Sequence, residues 1–202
     1  MTDSTEPDSG DVLTRTVIAW SLAAALAVMG AGLLLLPPAA ALATAALAFA
    51  MVLITLTDIR HFIIPDVVSL PAIPIGILAN AAVFTPEDWS QGVIESIWGL
   101  VLAGGTFFLL RAFYFWLRGV EGLGLGDVKL AAVAGAWLGP ALLPPACFVA
   151  SLAAICVVLL RALVSGGMAS LQSQARLPFG SFIAPTIFIF WMYKILELIA
   201  SM

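Results

Sequence analysis

The chain has 202 residues, of which 62% are hydrophobic and 10% are charged, and its mean hydropathy is +1.13. Soluble domains are roughly half apolar and a quarter charged, so this chain lacks the polar side chains needed to cover a water-facing surface. The composition excludes a soluble domain and predicts an integral membrane protein. The net charge is -4 and no basic cluster occurs, which excludes nucleic-acid binding.

Apolar runs between Pro, Gly and charged residues predict an all-α fold, a polytopic transmembrane helix bundle of about seven spans. A run of about 20 residues is long enough to cross roughly 30 Å of hydrocarbon as a helix. The predicted spans are residues 16–36, 39–57, 67–84, 92–117, 127–139, 142–163 and 181–200.

The stretch from Asp127 to Val164 needs its own argument because it is uncharged over most of its length. As one helix, its 38 residues would extend about 57 Å, nearly twice the bilayer core. The pair Gly139-Pro140, followed by two further prolines, supplies a turn near its middle. We therefore predict two short helices here.

The positions of the eight Lys and Arg residues predict the orientation. With seven spans, all of them except Lys194 map to one face or to helix ends facing it, so that face is predicted to be cytoplasmic. The N-terminus then lies inside and the C-terminus outside. Residues 1–14 are acidic and rich in Ser, Thr, Gly and Pro, which predicts a disordered cytoplasmic tail ahead of a transmembrane domain at 15–202.

The sequence predicts neither a metal site nor an organic cofactor. Cys147 and Cys156 lie nine residues apart in one apolar stretch, with no CxxC pair and no Cys/His ligand spacing. His61 is the lone histidine, so a metal would depend on carboxylates alone. We expect both cysteines to be packing residues.

Two aspartates are the candidates for chemistry, because ionisable residues near a membrane span are rare and usually functional. Asp58 ends the second predicted span and Asp127 opens the fifth. Two complete spans lie between them, an even number, so both carboxylates return to the same membrane face. In such a pair the ionised carboxylate takes a proton from water, and the protonated one polarises the scissile carbonyl. The pattern predicts an aspartyl protease.

The predicted helix ends suggest a role for each aspartate. Asp127 lies at a helix N-terminus, which favours an anion, whereas Asp58 lies at a helix C-terminus, which disfavours one. The hypothesis is that Asp127 is the base and Asp58 holds the proton, although a coupled pair titrates as a unit.

Neighbouring residues are predicted to support the pair. Gly124 and Gly126 leave the backbone before Asp127 without side-chain bulk, which permits close approach of an extended substrate. Lys129 either contacts substrate or, as we favour, serves lipid headgroups. Asp66 follows an Ile-Pro pair and is predicted to cap the third span rather than act as a third catalytic acid.

The sequences around both aspartates resemble the two active-site motifs of the type IV prepilin peptidases, membrane aspartyl proteases of the GxGD class. TDIRHFIIPD contains Asp58, GLGLGDVKL contains Asp127, and LPFGSFIAP is similar to the family's motif before its last helix. The resemblance covers roughly residues 45–195. It implies that the chain cleaves the short basic leader from prepilins or pseudopilins after a glycine. It also implies a site at the cytoplasmic face of a bacterial inner membrane, in type IV pilus or type II secretion systems.

The sequence departs from that family's pattern at two places. Full-length bacterial members carry an N-terminal region with paired CxxC zinc motifs, associated with methylating the new N-terminus, and this sequence has an acidic tail there. The resemblance is therefore to a short form, and we expect no methyltransferase activity. Ser181 stands where many members have a second proline. The preceding Pro178-Phe179-Gly180 segment has two interpretations. It is either a mobile gate beside the aspartates or a stretch whose Pro and Gly only end the loop before the last helix.

Two other functions fit parts of the sequence. A presenilin-like or signal-peptide-peptidase-like protease shares only the GxGD motif, and its tyrosine-aspartate motif is absent, since Thr57 precedes Asp58. A carboxylate-lined transporter also places acids at helix ends, though more often at mid-membrane. The expected partners are a prepilin or pseudopilin and the lipid bilayer, and the sequence leaves the oligomeric state open.

Overall fold

The computed structural model describes the backbone of residues 9–120, 122–164 and 178–201, and the side chains of these residues except 9–14 and 164. Each helix is apolar and long enough to cross a membrane, and the described residues contain no strand, which confirms the all-α membrane bundle. Residues 1–8 of the predicted tail lie outside the described part, and the first helix already includes residues 9–14. The helices are α1 (Ser9–Leu35), α2 (Pro38–His61), α3 (Asp66–Phe84), α4 (Trp89–Arg118), α5 (Leu125–Val164) and α6 (Gly180–Ser201).

The helix α5 spans both of the helices predicted between Asp127 and Val164, and it is broken between them. Gly139, inside α5, has φ 73° and ψ 178°, which is not helical. On a straight helix Ala134 and Ala150 would lie about 24 Å apart, yet both line one small cavity. The chain therefore folds back at Gly139, and α5 consists of a first arm (125–138) and a second arm (140–164). The predicted turn is confirmed, and the described residues form seven helical segments within six helices.

A side chain from α3 satisfies the backbone at this break. The carbonyl of Ala136 would pair with the N–H of residue 140 in a regular helix, but Pro140 has none. Asn80 is buried, and its Nδ2 donates to the carbonyl oxygens of Ala136 at 2.8 Å and Trp137 at 2.9 Å. Lys194 of α6 donates from Nζ to Oδ1 of Asn80. Asn80 thus joins α3, α5 and α6 where the first arm ends.

Two tryptophans fill the centre of the bundle. Trp137 and Trp191 are fully buried and pack edge to face with ring centroids 4.9 Å apart. Nε1 of Trp191 donates to Oγ1 of Thr44 at 2.9 Å, and Nε1 of Trp137 donates to the carbonyl oxygen of Ala72 at 2.8 Å. These contacts hold α2, α3 and α6 around the first arm of α5, the segment whose first turn contains Asp127.

Candidate active site

Asp58 lies in the last turn of α2 and faces the beginning of α6. It is buried, with 5% of its surface exposed. The backbone N–H of Ser181 donates to its Oδ2 at 2.7 Å and also lies 3.2 Å from the carbonyl oxygen of Pro178. The first amides of a helix have no acceptor within the helix and stabilise a nearby negative charge. Asp58 therefore lies at two helix ends, the C-terminus of α2 and the N-terminus of α6.

This arrangement removes one basis of the hypothesis on the roles of the two aspartates, which stays a prediction. The C-terminus of α2 disfavours a charge on Asp58. The amide of Ser181 opposes that effect. The helix ends consequently do not determine which of the two carboxylates, Asp58 or Asp127, is the base.

Asp127 lies in the first turn of α5 and shares a cavity with Asp58. The cavity has a volume of about 660 Å³ and lies at the end of the bundle where α2 ends and α5 begins. The even number of spans between the two aspartates correctly predicted that they lie at the same end. The lining residues are Asp58, Phe62, Ile63, Ile64, Asp66, Gly122, Leu123, Gly124, Leu125, Gly126, Asp127, Lys129 and Phe179.

The glycines near the aspartates have a packing role that the sequence interpretation missed. A Cβ atom on Gly126 would lie 3.1 Å from Ile64, and one on Gly180 would lie 2.8 Å from the Cδ1 atom of Ile64. Ile64 is 8% exposed and fills the space between these two backbone segments. Gly124 and Gly126 both line the cavity, and the Cβ position of Gly124 lies 3.4 Å from Oδ2 of Asp127, so their role in admitting an extended substrate stays a prediction.

Asp66 and Lys129 form an ion pair across the cavity rim. Lys129 Nζ lies 2.6 Å from Asp66 Oδ1, and the side chains are 31% and 55% exposed, respectively. The prediction that Asp66 caps α3 is wrong, because Pro65 occupies the N-cap position and makes no side-chain cap bond, while Asp66 is the first helical residue. Lys129, expected to serve lipid headgroups, has this carboxylate as its partner.

Phe179 separates the cavity that contains Asp58 and Asp127 from a smaller apolar one. Its side chain lines both, and the smaller cavity lies behind it between the arms of α5 and α6. Pro178 precedes α6, and its carbonyl oxygen accepts a hydrogen bond from Oγ of Ser181 at 2.6 Å. This position beside Asp58 fits either interpretation of the Pro178-Phe179-Gly180 segment, so the gate stays a prediction.

Three carboxyl groups and one ammonium group lie among the described residues that line the cavity. No group of three or more His, Cys, Asp or Glu side chains in the described ranges is arranged to hold a metal ion. Among the described cavity-lining residues, Lys129 is the one cation, and Asp66 already pairs with it. Asp58 and Asp127 remain as two like carboxyl groups in one cavity.

The family model of the type IV leader peptidase family matches residues 45–160. The chain belongs to this leader peptidase family. It is 36% identical over 138 residues to leader peptidase HopD of Escherichia coli, an overlap that covers 68% of this chain and 84% of HopD. It is 32% identical over 166 residues to the prepilin leader peptidase/N-methyltransferase of Burkholderia pseudomallei strain 1026b, covering 80% of this chain and 48% of that relative.

Other relatives in the leader peptidase family show the same pattern of coverage. The prepilin leader peptidase/N-methyltransferase of Pseudomonas aeruginosa is 30% identical over 141 residues, covering 68% of this chain and 44% of that protein. The chain thus spans about half the length of the peptidase/N-methyltransferases that it matches. No solved structure matches it. The family match includes Asp58 and Asp127, whereas Gly180 and Ser181, which contact Asp58, follow it in the chain.

Proposed function

We propose that this chain is an aspartic-type endopeptidase that removes the leader peptide from type IV prepilins or pseudopilins, with Asp58 and Asp127 as its catalytic pair. The observation that carries the proposal is the convergence of these two carboxyl groups, 69 positions apart in the chain, on one cavity at the end of the bundle. Membership in the leader peptidase family and the names of its relatives support the substrate class. Neither the presenilin-like protease nor the transporter has comparable support.

The proposed reaction uses one proton shared between the two carboxyl groups. The ionised carboxylate takes a proton from a water molecule as the water oxygen attacks the scissile carbonyl carbon, and the protonated partner gives its proton to the carbonyl oxygen. When the tetrahedral intermediate collapses, the C–N bond breaks and the amine leaves with the proton taken from water. The second proton returns to the pair, which regenerates the starting state. This cycle requires neither a metal nor an organic cofactor.

The loop before Asp127 is the proposed contact for the substrate backbone. Gly124 is exposed and lines the cavity next to Asp127. Extended peptides bind well against backbone that carries no side chains. A Cβ atom on Gly124 would lie 3.4 Å from Oδ2 of Asp127. A larger side chain there would fill the space beside the Asp127 carboxyl group in which the scissile bond is proposed to lie.

The proposed location is a bacterial inner membrane with the cavity on the cytoplasmic side. Arg60 lies in the last turn of α2, Arg118 ends α4, and Lys129 lies in the first turns of α5, all at the cavity end of the bundle. The loop at the other end, between α3 and α4, contains Glu87 and Asp88 and no base. Because α5 crosses twice, this orientation places the N-terminus inside and the C-terminus outside.

Co-expression with a candidate prepilin tests the proposal. Wild type is expected to convert the prepilin to a shorter product, and Asp58→Asn and Asp127→Asn are each expected to abolish the conversion while still accumulating in the membrane. Glu87→Gln is the matched control, because this exposed acid lies at the opposite end of the bundle. Retained cleavage by either Asp→Asn variant would remove that residue from the pair and refute the proposed chemistry.

A further inference from the structure

The loop between α4 and α5 leads directly to Asp127, and three of its described residues are glycines. Gly119, in the left-handed region at φ 67°, ends α4, and Gly122 and Gly124 follow. Glycine loses more conformational freedom on ordering than any other residue. At the start of α5 the N–H of Val128 donates to the carbonyl oxygen of Gly124 over a long distance of 3.4 Å. The position of Asp127 therefore depends on contacts that the loop makes with other elements.

Arg111 of α4 provides a polar contact of this kind. Its Nη1 donates to the carbonyl oxygen of Leu123 at 2.9 Å, and Leu123 lies on the cavity wall. Hydrogen bonds from a guanidinium are roughly twice as strong as those between neutral groups. An arginine two helical turns inside an apolar helix is also costly unless it has a defined partner. The residue held by this bond directly precedes Gly124, which adjoins the Asp127 carboxyl group.

Tyr114 provides a second contact, one turn further along the same face of α4. A Cβ atom on Gly122 would lie 2.3 Å from Cδ1 of Tyr114, so the loop backbone rests directly on the aromatic ring. Residues three apart on a helix are neighbours on its surface. Arg111 and Tyr114 therefore hold two successive parts of the loop, one through a hydrogen bond and one through van der Waals contact.

We propose that Arg111 is a positioning residue that sets the place of Asp127 relative to Asp58 by holding the Leu123 carbonyl, an assignment that rests on the function proposed above. Arg111 does not touch the substrate in this scheme. Its guanidinium holds the carbonyl of Leu123, while the ring of Tyr114 packs against the backbone at Gly122. The spread of loop conformations, and with it the distance between the two carboxyl groups, widens when this bond is removed.

Cleavage kinetics provide the first test. In Arg111→Met, kcat is expected to fall about 100-fold, as for a displacement of roughly 1 Å at a reacting group, while KM stays within about threefold. The pH profile of kcat should change as well, because the pair is no longer held at one separation. Arg111→Lys, which retains a cationic donor, should recover part of kcat. Arg118→Met removes a cation from the same helix two turns later and should behave as wild type.

The outcomes of the kinetic test separate positioning from general destabilisation. A kcat for Arg111→Met equal to that of Arg118→Met overturns the proposal. So does an unchanged pH profile combined with a loss of kcat that matches the loss of folded protein. If Arg111→Met does not accumulate in membranes, Arg111→Gln is measured in the same way, since it keeps a neutral donor and removes the charge.

A second test does not depend on cleavage and so stays informative if the proposed function fails. Leu125→Cys, in a background with Cys147→Ala and Cys156→Ala, places a thiol at the start of α5 on the cavity wall. Its rate of labelling by a water-soluble maleimide is expected to rise several-fold when Arg111→Met is added and to stay constant with Arg118→Met. Equal labelling rates in all three proteins would show that Arg111 does not hold the loop.

Discussion

The backbone N–H of Ser181 donates a 2.7 Å hydrogen bond to Oδ2 of Asp58, across 123 positions of sequence. The bond joins the last turn of α2 to the first turn of α6. It requires the close approach that Gly180 permits, and it places the carboxyl group at the positive end of α6. The beginning of the last helix is thus part of the site, although the family match ends before it.

Gly180→Ala is expected to reduce cleavage more than it reduces stability. The added methyl group would lie 2.8 Å from the Cδ1 atom of Ile64 and 3.0 Å from Oδ2 of Asp58, so the Ile64 and Asp58 side chains or the start of α6 must shift, which is expected to disturb the bond from Ser181. Overpacking of this kind costs about 1–3 kcal/mol. Cleavage rate and thermal unfolding in detergent provide the two measurements. Gly30→Ala is the control, because nothing lies within 4 Å of a Cβ at that position. Equal proportional losses of cleavage rate and thermal stability would instead indicate that Gly180 only ends the loop before α6.

Asn80→Leu is expected to destabilise the protein by about 1–3 kcal/mol, the usual consequence of leaving buried polar groups without partners. The carbonyl groups of Ala136 and Trp137 would both lose their donor. Asn80→Asp is the sharper variant, since a carboxylate can still accept from Lys194 but cannot donate to either carbonyl. Both variants are measured by thermal unfolding. Wild-type stability in Asn80→Asp would show that the bonds to the break in α5 contribute nothing.

The ion pair between Asp66 and Lys129 is expected to contribute little to stability because both side chains are partly exposed. A double-mutant cycle with Asp66→Asn and Lys129→Met should give a coupling free energy of about 0.2–1 kcal/mol that decreases as salt is added. Chemical or thermal unfolding of the four proteins yields this value. Additive effects would mean that the pair is not formed in the membrane protein, and a much larger coupling would contradict its exposed position.

Asp88 is expected to make the stability of the protein depend on pH, and the hydrogen bonds to its carboxylate determine the sign of that dependence. The Ser90 hydroxyl and the N–H groups of Gln91 and Ser90 donate to its carboxylate at the start of α4, and the Ser90 hydroxyl makes the largest contribution to lowering the pKa of Asp88. A carboxyl group whose pKa is lowered on folding stabilises the protein above its unfolded pKa, near 3.9. This contribution is lost as the pH falls through the lowered value. Asp88→Ala should thus be less stable than wild type at neutral pH.

Unfolding curves of wild type and Asp88→Ala between neutral and strongly acidic pH check this expectation. The difference between the two proteins should shrink as the pH falls below the unfolded pKa of an aspartate. Asp88→Asn, which also forms N-caps, should retain part of the stabilisation without the steep pH dependence. A difference that stays constant down to the acid limit would mean that the charge of Asp88 plays no part.

The amino-acid sequence alone determined the class of the protein and the end of the bundle at which Asp58 and Asp127 meet. Hydropathy fixed the membrane-spanning helices, the Gly139-Pro140 pair fixed the break in α5, and an even number of spans brought Asp58 and Asp127 to one end. These properties follow from local sequence, because φ/ψ preference acts at single residues and hydropathy acts along single helices.

The tertiary structure alone decided which residues meet at that end and at the break. The Ser181 amide on Asp58, the Lys129 ammonium on Asp66 and the Arg111 guanidinium on the Leu123 carbonyl all join different elements. The position of Asp66 after a proline is a local signal that predicts a cap, whereas its partner, Lys129, comes from α5. Such contacts depend on how helices rotate and cross when they pack. Many rotations satisfy the same hydropathy pattern in a membrane, so one sequence specifies the helices without specifying which of their side chains touch.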